Sequence, residues 1–546
     1  MYNCGKESKM KDKKYFGVML DMSRNAVMKP NEVKNFVSIL KKMGYNMLQL
    51  YTEETYEVDN EPYFGYMRGR YTQAELQDIV AYCEEIGVEV IPCIQTLAHL
   101  ERIFRWHPYY QINDCGDILL VESDRTYELI ENMFSSLRKC FRSEYVHIGM
   151  DEAHMLGLGK YLEQHGFQNR FEILNKHLLR VMEIAKKYNF KPMMWSDMFF
   201  RLANNGEYYP ANPQLTEEVI EKMPKDLGLV YWDYYHKEQE YFEKMMRAHL
   251  QAGDNVWFAG GAWVWSGFAS GNNLTLDTML PAMKAAANCG VKNILMTMWG
   301  DNGKECSFYT SLPSLFTVRK AYDGITDMDV IRKEFKEIVG VDYDAMLNFD
   351  LPNYVDGNTS CLFNVCKHMF YNDPFNGFFD STIGENGAEE YKAHAKKLRA
   401  AAKDAREYTY LFDSAAALCD FLSIKYNLGL RTRTAYQSKN KEDLTALIED
   451  YWQAGMRLTD FYEAFKILWF KENKPHGFDI HDIRMGGLKQ RFIHCRQRLI
   501  DYLDGKIDKI DELEEELLDW YGNGKEFTRE APNFNRWDWI ASVNCI

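Results

Sequence analysis

Between residues 15 and 322, short and nearly continuous apolar runs alternate with longer stretches whose apolar positions recur at helical spacing. The runs lie at 15–22, 47–51, 89–95, 145–150, 191–196, 228–233, 255–260 and 293–299. A run that is apolar at successive rather than alternate positions reads as a strand covered on both faces, as in a parallel sheet between helices. The stretches between them carry helix ends. Pro30 opens one that stops at Gly44, Thr72 and Glu75 form a capping box for one that stops at Gly87, and the helix from Thr275 stops at Gly290. Further helices are expected over 126–140, 171–188 and 238–251. Eight strand–helix units in this span predict an α/β fold closed as a (β/α)8 TIM barrel, not an open sheet.

Beyond residue 322 the strand pattern disappears. Residues 329–339 read as a helix and 353–384, with Asn, Asp, Gly and Pro, as a loop. Long helical periodicities follow over 388–428, 441–469 and 483–503, with Glu- and Lys-rich outer faces. The acidic stretch 508–519 reads as one more solvated helix, and the tail 527–546, with Trp537 and Trp539, is expected to pack back on a domain. The division is therefore an N-terminal extension (1–14), a barrel (15–325) and a mostly α-helical C-terminal domain (326–546).

At 546 residues the chain has room for both parts. Its net charge of -15 argues against nucleic acid and anionic membrane as partners. No run approaches the roughly 20 apolar residues of a membrane span. The 12 cysteines form no C-x-x-C pair, and Cys83, Cys93, Cys140 and Cys289 fall in predicted helices or strands, so reduced structural thiols are expected. The Lys-rich start lacks the apolar core of a secretion signal, and a cytoplasmic protein is expected. A helical appendage beside a barrel is also a candidate homodimer surface.

Barrels of this kind carry their chemistry at the C-terminal ends of the strands. There the first strand brings Asp21 and Arg24, the second Glu53 and Glu54, the third Gln95 and His99, and the fourth Asp151 and Glu152. The fifth brings Trp195 and Asp197, the sixth Trp232, Asp233, Tyr234 and Tyr235, the seventh Trp263 and Trp265, and the eighth Trp299, Asp301 and Glu305. Barrel interiors favour Val, Ile and Leu, so indoles gathered at strand ends among carboxylates and an arginine suit a sugar, whose C–H faces stack on rings while its hydroxyls need fixed partners. Asp151 and Glu152 are neighbours, and neighbours in a continuing strand face opposite ways. They share a pocket only if the chain leaves β geometry, which Gly149 makes cheap. No phosphate-cradling glycine loop and no metal-ligand set stands out. His147 lacks a second His at helical spacing and reads as a core residue, whereas His99 is either a loop residue or a partner for a carboxylate. No metal or cofactor is expected.

The stretch Val146-His147-Ile148-Gly149-Met150-Asp151-Glu152 resembles the His-x-Gly-x-Asp-Glu signature of glycoside hydrolase family 20, the β-N-acetylhexosaminidases. Residues 17–24, residues 87–92 with His99 beyond them, and Trp299-Gly300-Asp301 support the resemblance, which covers roughly residues 15–320. Met150 stands where the family usually has a second Gly. The barrel starts almost at once, so the chain is expected to resemble a branch of bacterial exo-β-N-acetylglucosaminidases that lack the family's common N-terminal α/β domain. The resemblance implies an exo-acting, retaining hydrolase that removes terminal β-linked GlcNAc, or GalNAc, from glycans through an oxazolinium intermediate. It implies Glu152 as general acid and base and Asp151 as the partner of the substrate's acetamido group, with Tyr234 or Tyr235 as donor to the acetamido oxygen. Arg24, Asp301 and Glu305 would bind hydroxyls, and Trp195, Trp232, Trp265 and Trp299 would wall the pocket. Trp263 is expected to turn away from Trp265, by alternation. Two other readings stand beside this one: a two-carboxylate retaining glycosidase with Glu305 or Asp197 as nucleophile, and a non-catalytic carbohydrate-binding or scaffold protein.

Overall fold

The computed structural model describes residues 14–534 apart from residue 525. Residues 1–13 of the expected extension, and Trp537 and Trp539 of the tail, lie outside the described residues. Eight parallel strands close a barrel in chain order: β1 (Tyr15–Asp21), β2 (Met47–Tyr51), β3 (Glu89–Cys93), β4 (Tyr145–His147), β5 (Lys191–Trp195), β6 (Gly228–Trp232), β7 (Val256–Gly261) and β8 (Asn293–Met298). β1 closes the ring against β8 with Tyr15 opposite Asn293 and Leu20 opposite Met298.

The continuous apolar runs follow from this closure. In β1, Phe16, Val18 and Leu20 join the core between barrel and helices, while Tyr15 and Met19 belong to a second cluster inside the barrel. Both faces are buried, so the strand stays apolar until Asp21 at its C-terminal end. Gly17 lies between these two inward residues, and a Cβ there would come within 2.3 Å of the Met47 methyl, so the interior has space only for glycine. Tyr15 stacks on Trp257 at 5.2 Å inside the barrel.

β4 stops at His147, three residues short of the expected run, because Gly149 and Met150 turn into the left-handed region (φ 71° and 69°). Residues 388–428 form two long helices, Gly387–Ala402 and Thr409–Lys425, before a third over Leu428–Gln437. The segment 353–384 is not all loop, since it holds the buried helix Val365–Tyr371. The acidic 508–519 stretch is helical only over Asp511–Glu514, and it is anchored rather than solvated, with Ile510 and Leu513 fully buried.

The helices Lys441–Glu472 and Phe478–Leu503 run beside the barrel mouth. The amide of Lys29 donates to the Glu472 carbonyl at 2.9 Å, and the Ser307 hydroxyl to the Glu472 carboxylate at 2.7 Å. The helical region is thus bonded directly to the segments that follow β1 and β8. Among the described residues no helix is long and apolar enough to cross a membrane.

Candidate active site

Side chains from six strand ends converge on the Asp151–Glu152 pair. The left-handed turn after β4 sets the two carboxylates differently. Asp151 is almost fully buried, while the Glu152 side chain is 44% exposed and has a left-handed backbone of its own (φ 52°). Gly149 is required here, since a Cβ would sit 2.0 Å from the Gln95 amide oxygen. That close approach lets Gln95 clamp the turn. Its Oε1 accepts the Met150 amide at 3.1 Å and its Nε2 donates to Asp151 Oδ1 at 2.8 Å.

The other Asp151 oxygen meets His99 Nε2 at 3.2 Å, and Glu152 Oε2 is 3.8 Å from the same nitrogen. His99 is itself left-handed (φ 58°) and held by its amide on Asp117 Oδ2 at 2.8 Å. Burial works against a charged imidazole, but the charge of Asp151 and its hydrogen bond outweigh burial and lift His99 to about 9. Burial likewise opposes ionisation of Asp151, yet the His99 cation, the two hydrogen bonds and Arg24 bring it down to about 2. Asp151 is thus a fixed anion over the whole neutral range. Asp197, at the end of β5, is fully buried and accepts the Glu152 amide at 3.1 Å; burial and the nearby Asp151 charge raise it to about 7. It holds the backbone of Glu152, not a substrate. His147 is a core residue: its Nδ1 accepts the Gly149 amide at 3.1 Å, and burial lowers it to about 3.

On the opposite side of the mouth Arg24 lies between two rings, 4.7 Å from the centroid of Tyr51 and 4.7 Å from that of Trp299. Its Nε is 3.3 Å from Glu53 and its Nη1 3.3 Å from Asp21. Asp21 also accepts the Gly300 amide at 2.9 Å, which ties the ends of β1 and β8 together. Asp301 faces this cation; burial raises its pKa and Arg24 opposes the rise.

The aromatic residues form a connected wall. Trp195 is 1% exposed and lies a layer below the mouth, 4.3 Å from the His147 ring and 6.0 Å from Trp299. Trp232 stacks on Tyr234 at 5.4 Å, and Tyr234 meets Trp265 edge-on at 5.6 Å. Tyr234 is buried, whereas Tyr235 is 49% exposed at the rim. Trp263 does not turn away from Trp265: residues two apart in an extended segment share a face, and the two indoles stack at 4.2 Å and 23°.

Glu305 is not brought to the mouth. It is 3% exposed, its carboxylate pairs with Lys367 at 2.9 Å, and Arg484 lies 3.5 Å away. Its place soon after β8 predicts a sugar hydroxyl as partner, but the loop folds it under the helical region. Conversely, the sequence reading overlooks Tyr51. This residue donates to Glu53 at 2.8 Å, receives Gln95 at 3.1 Å and stacks on Arg24. Alternation with Met47 and Gln49 points it inward, a signal present in the sequence.

Among the described residues, the group of His, Cys, Asp and Glu donors close enough to hold a metal ion is His99, Asp151 and Glu152, within 4.8 Å of one another. An ion there would compete for the oxygen that His99 holds. The cleft otherwise presents a buried anion, a half-exposed carboxyl beside it, a stacked guanidinium and an aromatic wall, a set that can protonate a leaving oxygen and stabilise positive charge on a bound sugar.

Comparison with known proteins gives the same answer. A model described as the glycosyl hydrolase family 20 catalytic domain matches residues 14–252, and one described as the glycoside hydrolase 20C C-terminal domain matches residues 342–531. Among curated proteins the chain is similar to beta-hexosaminidase 3 of Arabidopsis thaliana, 23% identical over 205 residues, which is 35% of this chain and 38% of that protein. It is also similar to hexosaminidase D of Homo sapiens, 24% identical over 228 residues, 39% of this chain and 45% of that one. The matched stretch spans less than half the length of either relative. Among solved structures, the family 20 exo beta-N-acetylglucosaminidase from Vibrio harveyi aligns with a TM-score of 0.47 at 15% identity, over 62% of this chain and 58% of that one. With a catalytic and a C-terminal family model matching in succession, and the Asp-Glu pair at the end of β4, the chain belongs to glycoside hydrolase family 20.

Proposed function

We propose that this protein is an exo-acting, retaining β-N-acetylhexosaminidase that removes terminal β-linked GlcNAc or GalNAc by substrate-assisted catalysis. The observation that carries the reading is the split environment of the Asp151–Glu152 pair: one carboxylate fixed as an anion by His99 and Gln95, the next half-exposed at the mouth. Each carboxylate oxygen has two lone pairs, so Asp151 can still accept the substrate's acetamido N–H.

In the first step the acetamido oxygen attacks C1. The bond from C1 to the leaving oxygen breaks, and the Glu152 proton passes to that oxygen. The positive charge of the oxazolinium faces the Asp151 anion, which is already in place and needs no reorganisation. In the second step Glu152 takes a proton from water as the water oxygen bonds to C1. The C1 bond to the acetamido oxygen breaks, which restores the amide and the β configuration. Tyr234 suits the acetamido oxygen better than Tyr235. It is buried in the wall between Trp232 and Trp265, whereas Tyr235 lies half-exposed at the rim. Arg24 and Asp301 take hydroxyls of the terminal sugar, where a planar fork suits two oxygens. The two carboxylates that a nucleophilic mechanism would need are engaged elsewhere, Asp197 with the Glu152 amide and Glu305 with Lys367. A reducing, cytoplasmic setting fits the ten described cysteines, all free thiols.

Hydrolysis of a chromogenic β-GlcNAc substrate tests the reading. Release of GlcNAc is expected. No turnover of β-GlcNAc or β-GalNAc substrates, with sugar binding retained, would return the protein to the carbohydrate-binding class.

A further inference from the structure

The loop after β8 carries Asp301 and then passes through an unusual backbone. Asn302, Gly303 and Lys304 have φ of 59°, 136° and 57° in succession. Two of these are side-chain-bearing residues in the left-handed region, which is unfavourable for them unless the surroundings impose it. The surroundings are the helical region and, at Gly303, the Asn25 amide from the loop after β1, which donates to its carbonyl at 3.1 Å. Arg484 Nη1 donates to the Asn302 carbonyl at 2.7 Å and Lys367 Nζ to the same oxygen at 3.2 Å. His481 Nε2 meets the Gly303 carbonyl at 2.9 Å, and since a carbonyl only accepts, this nitrogen carries the proton. Lys367 also bonds Glu305 at 2.9 Å, which fixes the far end of the loop.

We infer that Lys367, His481 and Arg484 are positioning residues that set the Asp301 carboxylate against the terminal sugar, so that the helical C-terminal region forms part of the sugar-recognition site. None of the three touches the substrate in this account. They act through the backbone that follows Asp301, whose preceding residue, Gly300, is already anchored on Asp21 from β1. The loop is therefore pinned from two sides, once by the barrel and once by the helices. This inference rests on the proposed glycosidase function, because it assigns Asp301 a sugar hydroxyl.

His481 allows a clean test. It is buried among aromatic rings, 5.1 Å from Phe465 and 5.0 Å from Trp469, so His481→Phe preserves the packing and removes only the N–H on Gly303. Loss of one hydrogen bond to the loop is expected to raise KM for a chromogenic β-GlcNAc substrate about five- to ten-fold while kcat changes little. Lys367→Met removes a charged donor and is expected to act in the same direction and more strongly; Lys367→Arg should recover part of the loss. The decisive readout is coupling. In an Asp301→Ala background neither substitution should raise KM further, because the group they position is gone. A merely structural role would give the same penalty in both backgrounds. Discrimination against 4-deoxy and 6-deoxy GlcNAc substrates should narrow in parallel. An active wild type with an unchanged KM in both His481→Phe and Lys367→Met, or full additivity with Asp301→Ala, would overturn the inference alone. A wild type that hydrolyses no β-HexNAc substrate would overturn the proposed function and this inference with it.

Discussion

Asp151→Asn probes the centre of the site, and the geometry predicts two linked effects. The substitution preserves shape but turns one oxygen into a donor. Gln95 Nε2 donates to one Asp151 oxygen at 2.8 Å, and the His99 ring nitrogen lies 3.2 Å from the other in an ion pair. The amide therefore sets a donor against a donor on one side, and it carries no charge to face an oxazolinium. The second effect falls on His99. Burial alone would lower this imidazole; the Asp151 charge and hydrogen bond hold it at about 9 against an ordinary 6.5. Net of burial, the rise from 6.5 to about 9 corresponds to roughly 3.5 kcal/mol in favour of the charged ring. Without the anion, burial dominates and His99 should titrate below 6.5. Turnover should fall about 10²–10³-fold, as for the loss of other preorganised charge-stabilising groups. The assay pairs kcat on a β-GlcNAc substrate with an NMR titration of the His99 ring. An Asp151→Asn variant whose His99 still titrates near 9, or whose turnover stays close to wild type, would refute the reasoning.

Glu152→Gln should keep the fold and lose about 10²–10⁴-fold in turnover on substrates with poor leaving groups, with a smaller loss on activated aryl glycosides, as measured by steady-state kinetics. Arg24→Lys retains a charge for Glu53 and Asp21 but not the stacked planar fork, so kcat/KM should drop about 10²-fold, from a charge-assisted hydrogen bond and about 1 kcal/mol of ring contact, with Tm little changed. Stability should also follow pH through His99. Its folded pKa of about 9 exceeds the ordinary 6.5, so its contribution is complete below pH 6.5 and is lost as pH rises through 9. Thermal melts of the wild type should show a decline over that window, and His99→Asn should flatten it.

The barrel was legible because closure between helices buries both faces of every strand, which writes continuous apolar runs such as 15–20 and 293–298 into the sequence. The pair Asp151–Glu152 was legible for a similar reason: adjacent acids can cooperate only where a strand ends, and Gly149 marked the break. The partners that give the pair its asymmetry were less so. His99 and Gln95 reach Asp151 from another strand end, at sequence separations of more than 50 residues, and periodicity carries nothing about which carboxylate each will meet. Glu305 shows the converse. Its distance from β8 in the sequence matches a site residue, but the left-handed turn at Asn302–Lys304 redirects it, and that turn is imposed by helices nearly 200 residues further on. Trp263 and Trp265 stack because residues two apart in an extended segment share a face, so alternation itself places the two indoles together.

The central claim is that the nucleophile belongs to the substrate, and a series of aryl β-glycosides whose 2-acetamido group bears zero, one, two or three fluorines tests it most directly. Fluorine withdraws electrons from the amide oxygen while leaving the leaving group, the ring hydroxyls and the acid Glu152 unchanged. A pre-positioned neighbouring group can supply about 7–11 kcal/mol of the barrier, so weakening it cannot be hidden by residual binding. With the acetamido oxygen as nucleophile, kcat/KM falls steeply and monotonically along the series. A flat series, with the trifluoroacetamide hydrolysed as fast as the parent, would place the nucleophile on a side-chain carboxylate and contradict the claim.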